Sequence, residues 1–269
     1  RHRATVMGYQ SGVGNAGVVV WPLLAGYIGG AGLGWRGPFL LYLVALPVAA
    51  AAVWLLPDTR RTGSGMAAGL RMRSVIRAAP VLLWLYALIF LVAMQLYALV
   101  AFLPQRLAEL GVTEPLVVAA FLAAATAAAA VVGLVFGRLR ARLNARTIVV
   151  LALVLPVPGF GLLAAATQPW LVLIGAPLIG VGIGLVMPAA PTLVSEAVGA
   201  AAVGRATSWI FALFPLGNFA SPLLLGPLAD GPLGLRTVFV AAAGISALAA
   251  VVYAAGFRHP DTRSGNAGL

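Results

Sequence analysis

Apolar residues run through this chain in long unbroken blocks, separated by short clusters of arginine, acid, glycine and proline. A helix that crosses a bilayer needs about 20 mostly apolar residues. Eight stretches qualify, at roughly 6–30, 38–56, 80–103, 116–136, 147–167, 170–190, 206–229 and 237–256. The uncharged run from Thr147 to Ser195 is too long for one crossing, and Gln168-Pro169 divides it. The blocks do not alternate apolar with polar residues, as strands of a membrane barrel would. The pattern predicts an all-α integral membrane protein with eight transmembrane helices.

Composition narrows the class. Of 269 residues, 62% are hydrophobic and 9% are charged, with a mean hydropathy of +1.04. A soluble domain carries about 25% charged residues, so a soluble enzyme, a disordered tail and a coiled coil are excluded. The net charge of +11 comes from 17 basic residues, every one an arginine, against 6 acids. That is too few charges to track a nucleic-acid backbone, and no nucleic-acid partner is expected. The absence of cysteine removes disulfides, thiolate metal sites and cysteine nucleophiles. His2 and His259 stand near opposite ends, so no histidine cluster can hold a metal. There is no phosphate loop of the GxxxxGK type. The first apolar stretch is far longer than the core of a signal peptide. No metal or cofactor is expected. An intramembrane enzyme would need catalytic polar residues clustered at one depth, and none cluster, so the chain reads as a non-enzyme.

The arginines orient the helices. Connections that alternate along the chain hold fourteen on one side (Arg1, Arg3, five within 57–79, Arg138, Arg140, Arg142, Arg146, Arg205, Arg258 and Arg263) and three on the other (Arg36, Arg106 and Arg236). Positive charge stays inside, which predicts that both ends and the 57–79 loop are cytoplasmic. That loop, with five arginines and Gly63-Ser64-Gly65, reads as a flexible linker between two bundles.

Two segments match at an offset of 200. Gly17, Pro22, Leu23, Leu24 and Gly26 line up with Gly217, Pro222, Leu223, Leu224 and Gly226, and Leu33, Gly34, Arg36 and Phe39 with Leu233, Gly234, Arg236 and Phe239. Pro57-Asp58-Thr59-Arg60 is echoed by Pro260-Asp261-Thr262-Arg263. Matches outside the helices argue for duplication rather than shared hydrophobicity, and transporters are often built this way. The second copy closes a six-helix unit that starts near Pro80. The first copy has only two helices, so the repeat predicts about four more upstream.

At this point the pattern resembles the major facilitator superfamily, whose transporters join two six-helix halves through a long cytoplasmic loop. In its drug/proton antiporter branch the fifth helix carries Gly-x8-Gly-x3-Gly-Pro-x2-Gly-Gly. Gly8, Gly17, Pro22 and Gly26 keep that spacing, while Trp21 and Ala25 replace two glycines. Gly34-Trp35-Arg36 and Phe39 resemble the turn before the sixth helix. A weaker copy of the family's basic loop, Gly-x-Leu-x-Asp-Arg-x-Gly-x-Arg, is carried by Gly137, Leu139, Arg142 and Arg146, with Ala141 for the aspartate and Asn144 for the second glycine. The resemblance implies a packing role for the first set and a cytoplasmic gate role for the second.

The resemblance also implies a domain plan. Residues 1–56 would be the last two helices of an N-terminal bundle, 57–79 the linker, 80–256 a complete C-terminal bundle and 257–269 a cytoplasmic tail. No Asp, Glu, Arg or His lies well inside a predicted span. What remains is a set of uncharged polar side chains in apolar helices: Gln95, Asn218, Asn15, Gln10, Tyr97 and Thr126. An unpartnered amide in hydrocarbon costs several kcal/mol, so these face either a neighbouring helix or a wet cavity. They are the candidate substrate-binding residues; none is catalytic. Prolines 156, 158, 215, 222 and 227, and Gly180-x-Gly182-x-Gly184, mark places where helices could bend. Gly8-x3-Gly12, Gly26-x3-Gly30 and Gly133-x3-Gly137 offer faces for close packing. The expected function is alternating-access transport of small molecules across a bacterial-type plasma membrane, in the direction of efflux and coupled to protons. The partners would be the substrate, the bilayer and the missing N-terminal helices. The competing reading is a non-transporting membrane protein or the remnant of a truncated transporter gene.

Overall fold

The computed structural model describes residues 17, 20–30, 34–55, 76, 77 and 79–257. Gln10, Asn15, Gly8, nearly all of the linker and the tail lie outside the described residues. Residues 20–30 are helical, and a 3₁₀ helix (Gly34–Val44) leads into α1 (Ala45–Leu55). There follow α2 (Val81–Glu109), α3 (Pro115–Arg142), α4 (Ala145–Val154), α5 (Pro156–Ala165), α6 (Pro169–Ala197), α7 (Ala200–Ala229) and α8 (Leu235–Gly256). Among the described residues, 7 helices are long and apolar enough to cross a bilayer, with the 3₁₀ segment plus α1, and α4 plus α5, each forming one span. The eighth predicted span, 6–30, is described only in part.

The sequence sets the ends of these helices. Gly111 takes φ +81 after α2, and the Val112 amide donates to the Leu107 carbonyl at 2.9 Å, closing a Schellman turn that only glycine enters without strain. Asn144 accepts from the Thr147 amide at 2.7 Å and so caps α4. This explains the asparagine found where the basic-loop motif has its second glycine. Pro156 divides the span predicted at 147–167 into α4 and α5, because proline has no amide hydrogen to give the preceding turn. Pro38 lies inside the 3₁₀ segment, and the residue before a proline avoids the α region. There the predicted α-helix from 38 is a tighter helix as far as Val44.

α2 to α8 pack into one bundle whose buried core runs from Ala79 to Phe257. α6 sits at its centre, against α2, α3, α4, α5 and α7. Its glycines make this possible, and two helical faces divide them. Gly180 and Gly184, one turn apart, lie against the carbonyls of Ala125 and Ala129 on α3, where a methyl group would collide. Gly182 points about 200° away from Gly180, where an added Cβ would come within 2.6 Å of the Ala152 carbonyl and of Pro156. Gly175 meets Gly159 of α5 on that second side. The Gly180-Gly182-Gly184 series therefore packs a continuous helix from both sides. Gly133 and Gly137 differ from expectation, since among the described residues nothing lies within 4 Å of a Cβ added at either.

By contrast, no residue of α1 is buried. α1 and its 3₁₀ lead stand off the bundle, with aromatic side chains such as Tyr42 and Trp54 exposed.

Candidate functional site

The helix ends fall into two sets. One end of the bundle carries Arg77, Arg138 to Arg146, Glu196 and Arg205, and the other carries Arg106, Glu109, Glu114, Asp230 and Arg236. The polar candidates lie between.

Gln95 is 1% exposed, and its Nε2 donates to Ser246 Oγ on α8 at 2.8 Å. The Ser246 hydroxyl in turn donates to the Ala242 carbonyl at 2.8 Å. Gln95, a candidate cavity residue, thus gives its amide nitrogen to the seam between α2 and α8, while its buried Oε1 has no partner among the described residues. Tyr97 lies two residues on, about 200° around the helix, and is 38% exposed. The two cannot line one surface. Tyr86 tightens the same helix by donating to the Ala206 carbonyl of α7 at 2.9 Å, and Tyr253 donates to the Trp84 carbonyl at 2.5 Å. Replacement of Gln95 by leucine should therefore lower the melting temperature in detergent, by an amount matching the roughly 0.6–2 kcal/mol of an interhelical bond. A Gln95→Leu protein that melts like wild type but prefers different substrates would reverse this assignment.

Thr126 is half-buried on α3 and its hydroxyl donates to its own helix, at the Ala123 carbonyl, 3.0 Å away. Asn218 is half-buried on α7, and its Oδ1 has no partner among the described residues. Ser221, one turn along, is fully buried and its Oγ also lacks one. Pro222 leaves the Asn218 carbonyl without its helical donor as well. Asn218 and Ser221 thus place two unpartnered oxygens on one stretch of α7, and no hydrogen bond joins Gln95, Tyr97, Thr126 and Asn218 to one another.

Helix 20–30 and the 3₁₀ segment enclose a cleft of about 660 Å³ lined by Trp21, Pro22, Ala25, Phe39 and Tyr42 among others. Trp21 stands over Gly17: a Cβ there would lie 3.4 Å from its indole. In the second copy of the repeat the counterpart is Ser221, and Gly217 is free to press on the backbone of α2 at Phe90. The tryptophan thus fills its own groove where its repeat mate admits a neighbouring helix. Gly26 packs on the start of α3, an added Cβ lying 2.6 Å from Ala119 Cβ.

Two charged arrangements escaped the sequence reading. Arg106, taken to flank its span, lies inside α2, which continues to Glu109, and is 3% exposed. Its Nε donates to the Leu163 carbonyl at 3.1 Å, its Nη2 to the Ala166 carbonyl at 2.6 Å, and its Nη1 bonds Glu109. These carbonyls end α5, where no helical donor remains. Arg106 therefore caps α5 from α2. At the basic end, Arg140 pairs with Glu196 of α6 at 2.9 Å, although the motif had pointed to Arg142, which is exposed. Arg146 donates to the Ala254 carbonyl near the end of α8, and Leu139 is partly buried against the core.

No curated protein matches the chain. A family model for the Major Facilitator Superfamily matches it twice, over residues 1–164 and 122–268. With seven membrane-length helices among the described residues and matches that together span nearly its whole length, the chain belongs to the Major Facilitator Superfamily of membrane transporters.

Proposed function

We propose that this chain carries small molecules outward across the plasma membrane by alternating access, coupled to protons. One observation carries the alternating-access part. Helix 20–30 presses on the start of α3, where a Cβ added at Gly26 would lie 2.6 Å from Ala119 Cβ and 3.0 Å from the Pro115 carbonyl. A close small-residue contact of this kind, between a helix of the first bundle and a helix of the second, is the seam that two rocking bundles need. The efflux direction rests on Gly17, Pro22 and Gly26, which keep the antiporter-like spacing. Tyr97, Thr126 and Asn218 are the residues of the second bundle proposed to meet substrate.

Gly26→Leu tests the seam. In cells loaded with a panel of lipophilic dyes, the wild-type protein should lower accumulation and a protonophore should abolish the effect. The variant should insert normally yet lose at least about tenfold of that activity. Unchanged efflux by Gly26→Leu would refute the gate. Orientation is checked separately. Single cysteines replacing Ser64 and Glu114 should react from inside and outside respectively, and external labelling at 64 would invert the topology.

A further inference from the structure

We propose that the basic end of α3 binds an anionic phospholipid, its phosphate held between Arg138 and Arg142 and an acyl chain lying over Val131 and Leu134. Four arginines fall within residues 138–146, and they divide sharply. Arg140 is committed to Glu196 and Arg146 to the Ala254 carbonyl. Arg138 and Arg142 are exposed and make no ion pair or hydrogen bond among the described residues.

Helical geometry separates the two pairs. Residues 138 and 142 are one turn apart, within about 40° of each other and with Cβ atoms about 5–6 Å apart. Arg140 lies on the opposite side. Two like charges at that spacing repel, and a phosphate between them turns the repulsion into attraction. Guanidinium forks suit that ligand because each can donate two parallel hydrogen bonds to it.

Depth agrees. α3 has 28 residues, so it is about 42 Å long, against about 30 Å of hydrocarbon. Its last turns must stand among the headgroups. One and two turns below Arg138, on the same stripe, Leu134 is 71% exposed and Val131 is 60% exposed. A soluble phosphate would satisfy the arginines but not this apolar track, so a lipid fits both. The anionic leaflet is the cytoplasmic one; placing this end there rests on the topology proposed above.

The full chain would be purified in detergent and exposed to mixed phosphatidylglycerol and phosphatidylcholine, with retained lipid counted by native mass spectrometry. Wild type should hold phosphatidylglycerol in preference. In the variant carrying both Arg138→Gln and Arg142→Gln the preference should fall roughly 10- to 30-fold. Arg236→Gln, which removes an exposed charge at the other end, should leave it unchanged. Arg138→Lys with Arg142→Lys keeps the charge without the fork and should lose most of the preference. Should the double variant prove aggregated, each single Gln variant takes its place. The site is overturned if the Gln variants retain phosphatidylglycerol like wild type, if the Lys variant matches wild type (diffuse attraction only), or if millimolar inorganic phosphate displaces the lipid completely (a soluble-anion site). External labelling at residue 64 would overturn the topology without touching this result.

Discussion

Replacing Gly180 by alanine should destabilise the protein severely, and replacing it by leucine should prevent assembly. The Cβ of an alanine there falls on the backbone carbonyl of Ala125, and a carbonyl held in a helix cannot turn aside as a side-chain tip can. Overpacking a rigid core costs about 1–3 kcal/mol, sometimes more, so Gly180→Ala should lower the melting temperature clearly and Gly180→Leu should elute as aggregate. The control is Gly133→Ala. Among the described residues nothing lies within 4 Å of a Cβ added there, and alanine in a helix is favoured over glycine by about 1 kcal/mol. That variant should melt at or above wild type. Equal losses at 180 and 133 would show that helix–helix contact at Gly180 is not the cause.

The contrast between these glycines marks what could be read beforehand. Hydropathy located every described span, because the bilayer imposes a length that composition must match. Small-residue spacing suggested close packing, but glycines at 180 and 184 look the same in sequence as those at 133 and 137. Only the neighbouring helix distinguishes them. The alternation of Gly180, Gly182 and Gly184 suggested a weak point. The structure uses it to let α3 and α4 approach α6 from opposite sides.

The candidate site was legible in residue type more than in direction. Gln95 and Tyr97 were grouped because they are near in sequence, yet helical periodicity alone separates them by about 200°. Gln95 gives its Nε2 to Ser246 and keeps a buried Oε1 without a partner among the described residues. Asn218 kept an unpartnered oxygen and gained an unforeseen neighbour in Ser221. Among the arginines of the basic loop, position relative to Glu196 chose Arg140, and no spacing rule points to an acid 56 residues away.

Arg106 was hidden for a different reason, and its removal should have the second large effect. Ending the span at 103 made it a boundary charge. Continuing α2 through Pro104 to Glu109 carries the guanidinium inside, where it supplies donors to the last carbonyls of α5. Hydrogen bonds to a charged group contribute about 1.5–3 kcal/mol each at most, and the desolvation of the guanidinium offsets part of this. Arg106→Met keeps the stem but strands the carbonyls of Leu163, Ala164 and Ala166 and leaves Glu109 without its ion partner. The expected outcome is a loss of about 2–4 kcal/mol and faster amide exchange over α5. Arg106→Lys retains the charge yet has a single nitrogen, which cannot span three carbonyls and Glu109 together, so it should recover only part of the loss. Glu109→Gln is the complementary control. Its side chain is 42% exposed, and an exposed ion pair contributes about 0–1 kcal/mol, so this variant should be nearly as stable as wild type. If Glu109→Gln proves as damaging as Arg106→Met, the ion pair rather than the cap of α5 holds this end of the bundle. If Arg106→Met melts like wild type, the carbonyls find water or lipid headgroups in its place.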